Sequence, residues 1–159
     1  MNQKLNCIML IDDDEPTNFL SNMIIEEANC TKHIQIEDSG KRAINYLVNS
    51  EKLTYSNKDY AWPDLIFLDI NMPAMNGWEF LDKYSELEKG LKDKTILVML
   101  TTSLDPDDEI KSKRNACVTD FKLKPFTKKM LTDVLNTYFP VLQNDDENGI
   151  KPEQKVYIL

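Results

Sequence analysis

Leu65-Ile66-Phe67-Leu68-Asp69 is a short continuous apolar run that ends on a carboxylate. The arrangement recurs: Ile8-Met9-Leu10-Ile11 leads into Asp12-Asp13-Asp14, Ile96-Leu97-Val98-Met99-Leu100 into Thr101-Thr102-Ser103, and Phe121-Lys122-Leu123 into Lys124-Pro125. Short apolar runs of this kind read as strands buried on both faces of a parallel sheet. Ligand sites in open α/β sheets lie at the carboxyl ends of such strands, so Asp12, Asp13, Asp69, Thr101 and Lys124 sit where a site belongs.

Between these runs the periodicity changes to that of helices. Pro16 is tolerated in a first helical turn, and a helix from there to about Ala28 would carry Phe19, Leu20, Met23, Ile24 and Glu27 as a mixed apolar stripe. Ile34-Gln35-Ile36 alternates as a short edge strand does. Ser39 would cap a helix over about 41–48 with Ala43, Ile44, Leu47 and Val48 inward. Residues 49–62 lose the period and read as a long loop whose Tyr55, Tyr60 and Trp62 pack on its own helix. A turn at Met72-Pro73-Ala74-Met75-Asn76-Gly77 precedes a helix over about 78–88. Helices over about 106–115 and 128–138 flank the strand 117–123. Five β-α units in series imply an α/β fold, a parallel sheet covered on both faces. Residues 1–140 are expected to form one domain, and residues 141–159 a C-terminal tail composed like a flexible segment.

Acidic residues outnumber basic ones by 27 to 19, a net charge of −8, which repels nucleic acid and anionic membrane surfaces. No stretch approaches the roughly 20 apolar residues needed to cross a bilayer, so a cytoplasmic location without membrane insertion is expected. Cys7, Cys30 and Cys117 are odd in number and include no CxxC pair. They read as plain core or surface thiols of a reducing compartment. His33, the one histidine, reads as a solvated or structural residue rather than a phosphodonor.

Three carboxylates at one sheet edge repel one another unless compensated. Mg²⁺ is the natural compensation, being a hard cation held by one or two carboxylates plus a phosphate, and Lys124 would add a second positive charge. With both in place Asp69 could stay ionised and attack a phosphoryl group, forming an acyl phosphate. Such transfer needs positioning and neutralisation of phosphoryl oxygens, which Mg²⁺, Lys124 and the Thr101 hydroxyl would supply.

Ile11-Asp12-Asp13-Asp14, the run from Leu68 to Gly77 (LDINMPAMNG), Leu100-Thr101-Thr102 and Leu123-Lys124-Pro125-Phe126 together resemble the receiver domain of two-component response regulators, over roughly residues 5–138. The likeness is to single-domain regulators of the chemotaxis and phytochrome-partner kinds. It implies a flavodoxin-like, doubly wound five-stranded sheet of order 2-1-3-4-5. It also implies that Asp69 accepts a phosphoryl group from a histidine kinase or histidine phosphotransfer protein. Asp12 and Asp13 would help hold Mg²⁺, with Asp13, Asp69 and the Asn71 backbone carbonyl as direct ligands, and Lys124 would pair with the phosphoryl group. Thr101 and Phe121 would form the switch: the threonine moves to the phosphoryl oxygen and the aromatic ring turns inward, altering contacts with a downstream protein. A cis Lys124–Pro125 bond, self-dephosphorylation and a monomer or weak homodimer go with the resemblance. Phe121 replaces the more frequent Tyr, and Thr102 is bulkier than the Ala or Gly often found there. The chain ends about 20 residues past the last helix, the length expected of a stand-alone regulator.

Two other functions compete. A phosphatase of the haloacid dehalogenase type also uses Asp, Thr, Lys and Mg²⁺, but it needs a second Asp two residues after the nucleophile, where this chain has Asn71. A docking module that has lost phosphorylation would not need the complete residue set. For Asp12-Asp13-Asp14 taken alone, helix capping is the simpler explanation.

Overall fold

The computed structural model describes residues 3–53 and 60–143, the last of these in its backbone only. Five strands, β1 (Leu5–Ile11), β2 (Thr31–Glu37), β3 (Leu65–Asp69), β4 (Ile96–Thr101) and β5 (Asp120–Leu123), form one sheet of order β2-β1-β3-β4-β5. Every pairing is parallel, with Ile8 opposite Leu65 and Leu65 opposite Ile96. The chain leaves β1 for β2 on one side and returns to β3 on the other. The topological switch point therefore lies between β1 and β3, whose carboxyl ends carry the aspartates.

The helices are α1 (Glu15–Ala28), α2 (Gly40–Leu53), α3 (Gly77–Ser85), α4 (Lys89–Lys92), α5 (Pro106–Arg114) and α6 (Lys128–Tyr138), followed by a 3₁₀ turn at Pro140–Gln143. Two apolar layers explain the continuous apolar runs. Met9, Ile11, Ile66, Leu68, Leu97 and Met99 face one way and pack with Leu47 of α2 and Phe80, Leu81 and Tyr84 of α3. Ile8, Leu10, Leu65, Phe67, Val98 and Leu100 face the other and pack with Ile25 of α1 and Leu131, Val134 and Leu135 of α6. Each such side chain, fully buried, contributes about 1.5–3 kcal/mol.

Several elements depart from their sequence-based bounds. β2 extends over seven residues where three were expected. α2 runs on to Leu53, with Ser50 continuing its buried face beyond Leu47. That removes part of the expected loop. Tyr60 stacks obliquely on Tyr46 at 5.6 Å between centroids, and Trp62 Nε1 donates to Thr95 Oγ1 at 2.8 Å. These aromatics do pack against the neighbouring helix layer; Tyr55 lies outside the described residues, as does the tail beyond Gln143. The expected helix over 78–88 is α3, which ends at Ser85, and the short α4 follows it beyond the expected bound; β5 starts at Asp120 rather than at residue 117.

The largest correction concerns α1. Its buried residues are Asn18, Ser21 and Ile25, while Phe19, Leu20 and Met23 are exposed by 63%, 60% and 51%. The inward face near its start is polar because it abuts the end of β1, where Asn18 Nδ2 donates to the Asp12 carbonyl at 2.7 Å.

Candidate functional site

The residues after Ile11 divide their work. Asp14 caps α1, accepting from Thr17 N at 2.9 Å and Thr17 Oγ1 at 2.5 Å. These bonds hold its carboxyl below the ordinary aspartate range. The capping explanation thus holds for Asp14. Asp12 and Asp13 remain for other work: Asp12 is buried and accepts from Asp14 N at 2.9 Å, and Asp13 is exposed.

Asp69 ends β3 and is 5% exposed. The turn behind it brings two backbone features together. Ala74 has φ 63°, a left-handed conformation that costs a non-glycine residue about 1–2 kcal/mol. Gly77 N donates to Ile70 O at 2.8 Å, and a Cβ on Gly77 would lie 2.9 Å from both Asp69 O and Ile70 Cα. Only glycine allows α3 to start this close to the strand end. Asn76 and Glu79 complete a reciprocal capping box there.

Lys124 closes the site from β5. Its Nζ lies 2.5 Å from Asp12 Oδ2 and 3.1 Å from Asp69 Oδ1, bridging the switch point. Its backbone N–H donates to Thr101 O at 2.8 Å, and the Lys124–Pro125 peptide is cis. Thr101 is fully buried, its Oγ1 accepting from Ser103 N at 2.9 Å. Burial pushes the Asp69 carboxyl up, Lys124 opposes that and Asp12 adds to it, so its pKa stands above the ordinary aspartate value. Burial would lower the Lys124 ammonium, but the bonds and charges of Asp12 and Asp69 outweigh it and hold its pKa high.

Oxygens of Asp12, Asp13 and Asp69 lie within 4.8 Å of one another. Three carboxylates against one ammonium leave a surplus of negative charge, and an all-oxygen donor set suits a hard divalent cation such as Mg²⁺. The Asn71 backbone N–H donates to the Asp69 carboxylate. Phe121 stands apart from this group, partly buried against the layer that holds α3. Asn18 and Gly77 are the structural supports that pattern reading did not assign. A polar residue four positions after the Asp14 cap was the available signal for Asn18.

A family profile described as "Response regulator receiver domain" matches residues 8–136. Among solved structures, a two component response regulator from Cytophaga hutchinsonii is 35% identical, with a TM-score of 0.76 over 87% of this chain and 99% of that one. "Chemotaxis protein CheY" of Halobacterium salinarum is 26% identical over 81% of this chain and 92% of its own length. "Hybrid signal transduction histidine kinase C" of Dictyostelium discoideum is 32% identical over 57% of this chain, a match spanning 8% of that protein. Among the described residues no helix is long and apolar enough to cross a membrane.

Proposed function

The chain belongs to the response regulator receiver family of two-component systems, and on that premise we propose that Asp69 is its phosphoacceptor, with residues 1–140 as the receiver domain. The observation that carries this assignment is the Lys124 ammonium shared between Asp12 and Asp69 across the switch point. It marks the place where a cation and a nucleophile meet.

The donor would be a phosphohistidine on a histidine kinase or histidine phosphotransfer protein. An Asp69 carboxylate oxygen attacks phosphorus in line, a P–O bond forms, and the P–N bond breaks with its electron pair passing to the imidazole. Mg²⁺ held by Asp12, Asp13, Asp69 and the Asn71 carbonyl would neutralise charge on the phosphoryl oxygens. Lys124 gives up its bond to the Asp69 carboxylate and pairs with a phosphoryl oxygen instead. The Thr101 hydroxyl exchanges its bond from Ser103 N for one to the phosphoryl group. Phe121 then turns into the space Thr101 leaves, altering the surface presented to a downstream protein. Hydrolysis of the acyl phosphate by water resets the switch. The exposed Phe19, Leu20 and Met23, on the helix that begins beside Asp13, offer the donor protein an apolar contact next to the site.

Intact mass after incubation with acetyl phosphate tests this reading. A gain of one phosphoryl group that requires Mg²⁺ and disappears in Asp69→Ala is expected. Undiminished labelling of Asp69→Ala would remove Asp69 from the role.

A further inference from the structure

β2 is an edge strand of seven residues, and among the described residues no strand pairs with its outer side. An open edge is a template for pairing with another chain unless it is blunted or covered. The flanking helices stand back from it on both faces. One cavity of about 520 Å³ lies between β2 and α2, lined by Gln35, Glu37, Arg42, Asn45 and Asn49. Another of about 340 Å³ lies between β2 and α1, lined by Asn22, Glu26, Asn29 and Ile34. An added strand would thus meet open space above and below the sheet.

The charges along the strand are asymmetric. Exposed Lys32 and the exposed imidazole of His33 stand at its beginning, buried Glu37 ends it, exposed Asp38 follows, and Ile34, Gln35 and Ile36 lie between. Two copies paired antiparallel about an axis through Gln35 set residues whose numbers add to 70 opposite each other. Lys32 then faces Asp38 of the other copy, His33 faces Glu37, Ile34 faces Ile36, and Gln35 faces itself. Lys32 meets a carboxylate, the His33 imidazole meets a hydrogen-bond acceptor and each isoleucine meets an isoleucine, and the two-fold axis makes every such pair occur twice. Ile36, 39% exposed in the single chain, gains an apolar partner. On the α2 side His33, Gln35 and Glu37 already form a polar row, with His33 Nε2 3.1 Å from Gln35 Oε1 and Gln35 Nε2 donating to Glu37 Oε1 at 2.8 Å. Arg42 lies 3.4 Å from Glu37 and 3.3 Å from Asp38, so it would flank each outer end of the junction, where it already holds those carboxylates in place.

We infer that β2 is a self-association edge through which two copies of this chain join their sheets, antiparallel and centred on Gln35. The buried surface is small and the chain carries a net charge of −8, so the dimer forms at high concentration only.

Sedimentation of the full chain from about 1 μM to about 1 mM should show the mass rising from 18.5 kDa toward twice that value. Lys32→Glu with His33→Glu places like charges opposite one another and should weaken association by about tenfold or more. The same variant should keep its circular dichroism and its labelling by acetyl phosphate, which separates this outcome from misfolding and from failure of the Asp69 assignment. In a Cys30→Ser, Cys117→Ser background, Gln35→Cys should cross-link to itself under mild oxidation, since opposed antiparallel Cα atoms lie about 4.5–5.5 Å apart, within disulfide reach. His33→Cys should cross-link far more slowly. A chain that stays monomeric at the highest concentration overturns the inference. So does a dimer indifferent to the charge reversal, or equal cross-linking at 33 and 35.

Discussion

Replacing Asp69 by Asn removes a charge and keeps the shape, so the sign of its effect on stability tests the electrostatics of the site. At an effective dielectric constant of about 20, Lys124, 3.1 Å away, attracts the Asp69 carboxylate by about 5 kcal/mol. Asp12 and Asp13, with oxygens within 4.8 Å, each repel it by at least about 3.5 kcal/mol. Asp13 is exposed and its repulsion is screened, so the charges come close to cancelling, and burial of the carboxyl, the largest cause of the raised Asp69 pKa, tips the balance against ionisation by about 1–2 kcal/mol. An aspartate whose folded pKa exceeds its ordinary 3.8 lowers stability wherever it is ionised. That penalty is fully present above the folded pKa and fades as pH falls toward and below the ordinary value. At neutral pH in EDTA, Asp69→Asn should therefore be more stable than the native chain by about 1–2 kcal/mol, a rise of about 2–8 °C in Tm. Mg²⁺ should reverse the order. Native protein gains about 2.7 kcal/mol at one hundred times its Kd, and the variant, short of one anionic ligand, gains less. Scanning calorimetry in EDTA and across a Mg²⁺ titration gives both numbers. A variant that melts at or below the native temperature in EDTA would refute the repulsive balance.

Lys124→Met leaves Asp12 and Asp69 unpaired in a buried site, so urea denaturation without metal should show a loss of about 3–5 kcal/mol, largely recovered with Mg²⁺. An unchanged midpoint would mean that the bridge carries no stability. Gly77→Ala forces a Cβ against backbone atoms of Asp69 and Ile70 that cannot rotate away, and should cost about 1–3 kcal/mol and slow acetyl-phosphate labelling. Burial pushes the Cys7 thiol from 9.0 up to about 12, with Asp64 adding to the shift. Cys7 should resist iodoacetamide at pH 8 until urea is added, and its contribution to stability, intact below pH 9, should be lost as the unfolded thiol ionises above it.

The sheet and the four polar stations were legible because their signals are local. Apolar runs such as 65–68 and 96–100 are buried on both faces, and a polar residue at the end of each can only lie at a strand end. The order of the strands was not local information; it came with the family resemblance, as did the cis bond at Lys124–Pro125. Elements whose buried face mixes polar and apolar residues were read short. The buried residue that carries α2 past Val48 is Ser50, which is polar, so hydrophobic periodicity stopped too early. In β2 the pattern was short because Thr31, Lys32 and His33 are polar and Glu37 is the one buried residue of the strand.

α1 shows how function itself can invert a sequence pattern. A helix on a parallel sheet is ordinarily oriented by its apolar stripe. Here Asp12 must be held at the end of β1, and the atom that holds its carbonyl is Asn18 Nδ2, so a polar residue has to face inward. Ser21 follows on the same face, and Ile25 joins the core only near the far end of the helix. Phe19, Leu20 and Met23 are thereby turned to solvent beside the acidic site, at the cost of their hydrophobic burial. A folded monomer gains nothing from three large apolar side chains there. The phosphohistidine donor proposed for Asp69 would gain a contact surface, so replacing all three by Ser should leave labelling by acetyl phosphate unchanged while slowing transfer from a protein donor. Equal slowing with both donors would place the defect in the site and not in docking.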